Sequence, residues 1–223
     1  AIVPFQFQSL SVDLQKALTE MGWQHPTEVQ AQVLGPFIER HDLLVQARTG
    51  SGKTGAFVIP ISQRLIGAKP GCRALILIPT RELANQVWEE FCKINRYSGV
   101  SAIAVYGGVG YRPQEDAFRA GCPVVVATPG RVLDHLEKGN LNLGQLEVLV
   151  FDEADEMLSM GFYPDIKRLR RFLPPRHQTA MFSATMSAAV QRLSQEFLHS
   201  PRWIDVSGGQ LHHSHMQHIY CVV

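Results

Sequence analysis

The chain has 223 residues, 45% of them hydrophobic, enough to bury a full core as one large domain or one domain with an appendage. Its formal net charge of +1 neither supports nor excludes a polyanionic partner, so any such contact must come from locally placed Arg side chains and backbone amides. Four scattered cysteines (Cys72, Cys92, Cys122, Cys221) argue against a zinc module or a disulfide framework, and no apolar run of about 18 residues or signal peptide is present, so the chain reads as soluble and cytoplasmic with no membrane partner.

In chain order, residues 1–40 form a polar, helical preface to the domain that follows. Strands are predicted at Leu43–Gln46, Ala74–Ile78, Ser101–Tyr106, Val124–Ala127, Val148–Phe151, Thr179–Phe182 and Trp203–Val206. Amphipathic segments lie between them. In Glu82–Tyr97, for example, Leu83, Val87 and Phe91 share one stripe while Glu82, Glu89, Glu90 and Lys93 share another. Short, continuously apolar strands alternating with helices predict an α/β fold, a doubly wound and mostly parallel sheet with helices on both faces, spanning residues 41–206. Residues 207–217 read as a linker, and His218–Val223 as an isolated strand belonging to a further domain. The domain boundaries are therefore 1–40, 41–206 and 207–223.

Ala47-Arg48-Thr49-Gly50-Ser51-Gly52-Lys53-Thr54 follows the first strand and is a phosphate-binding loop. Its amides can cradle phosphates, Lys53 can reach the β- and γ-phosphates, and the Thr54 hydroxyl can ligate Mg²⁺. About a hundred residues further on, Asp152-Glu153-Ala154-Asp155 ends another apolar strand, where a nucleotidase needs one carboxylate for the metal and one for the attacking water. Two adjacent acids at that position could instead cap the next helix.

Four more short motifs also follow strands, and in a parallel sheet all six line the carboxyl edge, where ligands bind. Pro79-Thr80-Arg81 and Thr128-Pro129-Gly130-Arg131 each place an Arg before a helix, suited either to phosphate contact or to a solvated first turn. Gly107-Gly108 allows close backbone approach or serves only a turn. Ser183-Ala184-Thr185 either caps the helix Ala188–Leu198 or senses the acidic site. Lys167, Arg168, Arg170, Arg171 and Arg176 read as a solvated helix face, and His212, His213, His215 and His218 lack the Cys or acidic companions of a metal site. Cys72, Cys92, Cys122, Met157, Met160 and Phe162 read as core.

This order of motifs resembles the first-domain series of the DEAD-box RNA helicases, over roughly Phe5 to Val206. Gly22-Trp23-Gln24-His25-Pro26-Thr27-Glu28-Val29-Gln30 is similar to that family's adenine-reading Q motif, with Phe5 as the upstream aromatic. The resemblance implies a RecA-like domain binding ATP and Mg²⁺. Gln30 would read the adenine edge, Phe5 would stack on it, and Thr27 would brace the phosphate loop. It implies that Pro79, Thr80, Arg81, Gly107, Gly108, Thr128, Pro129, Gly130 and Arg131 hold the RNA backbone without reading sequence. Asp152 with Thr54 would hold Mg²⁺, Lys53 and Glu153 would act in hydrolysis, and Asp155, Ser183 and Thr185 would couple nucleotide state to strand separation.

Glu28 and Trp23 depart from the Pro and Phe common in that family, and no second motif set follows Val206. The chain thus looks like the first domain of a longer helicase whose second RecA-like domain completes both sites. Two rivals keep the same nucleotide chemistry: an ATP-gated RNA clamp that does not unwind, and a DNA-directed motor.

Overall fold

A computed structural model of the chain describes residues 4–208. Seven strands form in it: β1 (Leu43–Gln46), β2 (Ala74–Leu77), β3 (Ala102–Val105), β4 (Val124–Ala127), β5 (Val148–Phe151), β6 (Gln178–Ser183) and β7 (Arg202–Asp205). All pair in parallel, in the order β3-β4-β2-β5-β6-β1-β7. Each of the seven strands expected between residues 41 and 206 is present. The ends move by a residue or two, because pairing rather than apolar character sets where a strand stops; β6, for instance, takes in Gln178 and Ser183 by pairing with β5 and β1.

Successive strand residues point to opposite faces, and both faces are dry. Leu43, Val45, Ile76, Val126, Val150 and Phe182 join one core cluster, while Leu44, Leu75, Leu77, Val125, Leu149, Phe151 and Met181 join the other. Helices α1 (Val12–Glu20), α2 (Glu28–Ile38), α3 (Lys53–Leu65) and α4 (Arg81–Ile94) cover the first face. Helices α6 (Pro129–Glu137), α7 (Ala154–Ser159), α8 (Tyr163–Leu169) and α9 (Ala188–Phe197) cover the second, with α5 (Arg112–Arg119) leaning on it through Phe118. The preface is part of the first core: Phe7, Leu14, Leu18, Val33 and Phe37 pack in one cluster with Val45 and Phe57.

Asp42 pins the far side of the sheet. Its carboxylate accepts from the Thr179 amide at 2.9 Å and the His199 amide at 2.7 Å, which aligns the starts of β6 and β7 beside β1. Two core expectations are corrected. Cys92 is exposed and Met160 is half exposed, because each falls on the outer side of its element, whereas Cys72 and Met157 are buried. The expected strand His218–Val223, the four-histidine run and most of the expected linker lie outside the described residues.

Candidate nucleotide and nucleic-acid site

Because all seven strands are parallel, the six motifs emerge at one edge of the sheet, and the strand order divides them. The phosphate loop, the acidic run and Ser183-Ala184-Thr185 follow β1, β5 and β6, which are neighbours. The Arg81, Gly107-Gly108 and Arg131 segments follow β2, β3 and β4, which occupy the other half.

The phosphate loop turns through two left-handed glycines, Gly50 (φ 80°) and Gly52 (φ 85°), before Lys53 opens α3. Gly52 is constrained twice, since a Cβ there would lie 2.8 Å from the Thr27 side chain as well as adopting a disfavoured φ. Lys53 is 5% exposed and lies between Asp152 (3.2 Å) and Glu153, to which its ammonium donates. Asp152 and Glu153 are themselves 2% and 7% exposed. Burial alone would pull the Lys53 pKa down, but the two adjacent carboxylates outweigh it and leave the pKa above its ordinary value. Burial pushes the Asp152 carboxyl up to about 6, with Lys53 opposing and Glu153 adding to the rise.

Glu153 stands at the N-terminal edge of α7 with φ 56° and ψ 49°, left-handed for a residue with a side chain, at a cost of about 1–2 kcal/mol. Its side chain makes no cap to α7 and turns instead to Lys53. The capping alternative for Ser183-Ala184-Thr185 also falls away, because α9 is capped by Ser187, whose hydroxyl accepts from the Val190 amide at 3.3 Å. Ser183 accepts from the Asp155 amide at 3.3 Å, and Thr185 donates to Asp155 Oδ2 at 3.0 Å. Thr80, by contrast, does serve as a cap, accepting from the Leu83 amide at 3.2 Å.

Thr27 and Gln30 form a reciprocal capping box at the start of α2. Gln30, 1% exposed, accepts from the Thr27 amide at 3.1 Å and donates to the Gly52 carbonyl at 3.0 Å. One amide hydrogen and one oxygen lone pair stay uncommitted, the complement of an adenine N6/N7 edge. Phe5 is half-buried against the first core cluster. Gly55, which the sequence reading passed over, belongs to this assembly: a Cβ would lie 2.5 Å from Gln30 Nε2 and 2.8 Å from the Trp23 ring. The only sequence signal for it is a glycine in a helical first turn, where alanine would be preferred. Gln46 was also passed over; its amide donates to the Ala184 carbonyl at 3.3 Å and joins the strand feeding the phosphate loop to the Ser183–Thr185 turn.

In the other half, Gly107 and Gly108 run between the two guanidinium groups, with Arg131 Nη2 and Arg81 Nη1 about 4 Å from where their Cβ atoms would be. Each Arg lies over a tyrosine missed in the sequence, Arg81 on Tyr106 (4.8 Å to the centroid) and Arg131 on Tyr111 (4.0 Å). Pro79 and Pro129 are buried, Thr128 is half-buried, and Gly130 is exposed beside them. The five basic residues at 167, 168, 170, 171 and 176 are solvent-facing, and Arg168 and Arg171 pair with Glu137.

The family described as DEAD/DEAH box helicase matches residues 27–193, which include all of these segments except Phe5 and Trp23. The chain belongs to the DEAD/DEAH box helicase family. Among similar relatives, the ATP-dependent RNA helicase DeaD of Buchnera aphidicola (Acyrthosiphon pisum) is 44% identical over 91% of this chain and 34% of its own length. The DEAD-box ATP-dependent RNA helicase CshA of Bacillus subtilis is 38% identical over 99% of the chain and 45% of its own. A crystal structure of a DEAD box protein from the hyperthermophile Methanococcus jannaschii superposes with a TM-score of 0.87 at 36% identity, covering 91% of this chain and 56% of that one. The chain thus spans less than half the length of these curated relatives. The DEAD-box fold is that of a RecA-like α/β domain, as the sequence predicts. Among the described residues no helix is long and apolar enough to cross a membrane.

The donor set fits a magnesium nucleotide. Ser51 Oγ is buried in the phosphate loop without a hydrogen-bond partner, an orphan that a phosphate oxygen would satisfy. Asp152 is a buried carboxylate whose single cationic neighbour does not offset its burial, which a second cation would. No group of three or more His, Cys, Asp or Glu side chains among the described residues forms a protein-only cage. A hard cation here would therefore complete its shell with phosphate and water oxygens, as Mg²⁺ does.

Proposed function

We propose that this chain is the ATP- and RNA-binding first domain of an RNA-dependent ATPase that separates short RNA duplexes when joined to a second RecA-like domain. The observation that carries the reading is Lys53 buried between Asp152 and Glu153, at the same sheet edge as the Arg81 and Arg131 pair flanking Gly107-Gly108. The names of the relatives, which specify ATP-dependent RNA helicases, support it.

Phe5 and Gln30 hold adenine, with Thr27 bracing Gly52. The amides of Thr49, Gly50, Ser51 and Gly52 face the phosphates, and Lys53 leaves its carboxylates to follow charge on the transferred phosphoryl group. Thr54 and Asp152 would hold Mg²⁺, which supplies neutralisation of phosphoryl charge when bound. Glu153 then orients the attacking water and accepts its proton. Arg81, Arg131, Gly107 and Gly108, with Pro79, Thr80, Thr128, Pro129 and Gly130 shaping their turns, grip phosphates and 2′-hydroxyls and read no sequence. Asp155, Ser183 and Thr185 carry the change at the nucleotide towards the second domain and the RNA.

The deciding experiment measures ATP turnover with and without single-stranded RNA, for this chain alone and for the full-length protein. Near-zero turnover by the chain, despite nucleotide binding, together with RNA-stimulated turnover and duplex unwinding by the full protein, is expected. Equal stimulation by DNA of the same sequence, or RNA held without strand displacement, would overturn it.

A further inference from the structure

Behind Arg131 runs a chain of polar side chains that the nucleotide chemistry does not use. Asn140 Nδ2 donates to Glu115 Oε1 and to His135 Nδ1, both at 3.2 Å, so Nδ1 is an acceptor and the ring proton sits on Nε2. His135 Nε2 therefore donates to Gln114 Oε1 at 2.6 Å. The same oxygen accepts from Arg131 Nη1 at 3.3 Å, and the Gln114 amide nitrogen donates to the Tyr106 carbonyl, immediately before Gly107, at 3.2 Å. Arg131 Nη1 also donates to the Val109 carbonyl at 2.8 Å, immediately after Gly108. Each bond forces the direction of the next. A flipped Gln114 amide would set its nitrogen against two donors and its oxygen against a carbonyl.

Water cannot replace the bond between His135 and Gln114, because the two residues are 0% and 3% exposed. The Phe118 and Tyr111 rings pack edge-on against the imidazole, with centroids 5.0 and 5.1 Å away. Burial first, and the Arg131 charge second, lower the His135 pKa and keep the ring neutral, as its donor and acceptor roles require. One glutamine on α5 thus joins the Tyr106 flank of the Gly107-Gly108 turn to the arginine on α6, which itself holds the Val109 flank.

We propose that Gln114, oriented by His135, is a positioning residue that holds Arg131 and the Gly107-Gly108 turn as one preformed grip on the RNA backbone. The inference rests on the RNA-binding reading of Arg131 given above. A free Arg side chain loses rotamers when it seizes a phosphate; one already held on Tyr111 and Gln114 has lost them beforehand.

The test is a double-mutant cycle on the full-length protein, reading the affinity for a short fluorescent oligouridine with a non-hydrolysable ATP analogue bound. Gln114→Leu is expected to weaken RNA about tenfold, the scale of a lost hydrogen bond to a charged group, and to leave the affinity for the ATP analogue unchanged. In an Arg131→Ala background Gln114→Leu should cost much less, leaving only what it contributes through the Tyr106 carbonyl. Losses that multiply in the double variant, or unaltered RNA affinity in Gln114→Leu, would overturn the proposal. If Gln114→Leu melts early, His135→Leu runs through the same cycle, with a smaller loss expected and the same non-additivity required. A wild-type protein that does not bind RNA, or an Arg131→Ala variant that binds it fully, would instead sink the functional reading beneath the proposal.

Discussion

The side-chain amide of Gln30 donates to the Gly52 carbonyl at 3.0 Å across 22 residues of sequence, while its oxygen accepts from the Thr27 amide. The Thr27–Gln30 segment and the phosphate loop are therefore one hydrogen-bonded unit. A disturbance at either end reaches the other without passing through the sheet.

Gly55 tests that unit. Gly55→Ala would drive a methyl to 2.5 Å from Gln30 Nε2, displacing the amide from Gly52. ATP affinity is expected to fall about tenfold, the value of one or two lost hydrogen bonds, and the preference for ATP over GTP to narrow. Gly35→Ala is the control, because a Cβ there meets nothing within 4 Å beyond its chain neighbours; it should leave binding alone. Titration of a fluorescent nucleotide and thermal melts read both.

Lys53→Ala strands Asp152 and Glu153 together in a buried site. Removing one member of a buried ionic cluster costs roughly 3–5 kcal/mol, so the melting temperature should fall as well as nucleotide affinity and turnover. Denaturant unfolding of the ligand-free chain checks this. An unchanged midpoint would show that Lys53 serves the nucleotide alone.

Asp152 predicts a pH signature. Its pKa rises from the ordinary 3.8 to about 6 in the folded chain, so the fold favours the protonated form. As pH climbs from 3.8 to 6 its ionisation progressively costs stability, and the same ionisation would create the proposed metal ligand. The Mg²⁺ concentration needed for half-maximal turnover should therefore climb as pH drops below about 6. In Asp152→Asn the melting temperature, relative to wild type, should stand higher at pH 7 than at pH 4. Magnesium titrations at several pH values and paired melts measure the two effects.

Glu153→Gln keeps the side chain's size but removes the carboxylate proposed as the base. ATP binding by the full protein should persist while turnover falls by 100-fold or more, the usual worth of general-base catalysis. Equilibrium binding alongside single-turnover hydrolysis separates the two, and undiminished turnover would remove Glu153 from its role.

Thr185→Val removes the donor to Asp155 Oδ2, an exposed bond of 3.0 Å that carries little stability. The expected result is ATP turnover within about threefold of wild type with duplex separation much reduced, read as unwound strands per ATP consumed. Parallel loss of both activities would place Thr185 in the hydrolytic site rather than in coupling.

Much of this protein was determined by its sequence. Short, continuously apolar strands separated by helices bury both faces as a parallel sheet, which sends all six strand-following motifs to one edge. Lys53, Asp152 and Glu153 were legible as candidates because phosphate and metal demand particular groups at particular turns, and the fold brings the three together. Side-chain partners that no motif encodes were not legible, although some lie only 5 to 30 residues apart. Ser187, not Ser183 or Thr185, caps α9, and only the approach of β5 to β6 turns those hydroxyls towards Asp155. The meeting of Gly55 with Gln30 and Trp23, the tyrosines beneath Arg81 and Arg131, and the path from Asn140 through His135 to Gln114 leave no periodic trace. Local sequence sets which groups a turn presents. Strand order and helix packing decide which groups meet, and those are properties of the whole chain.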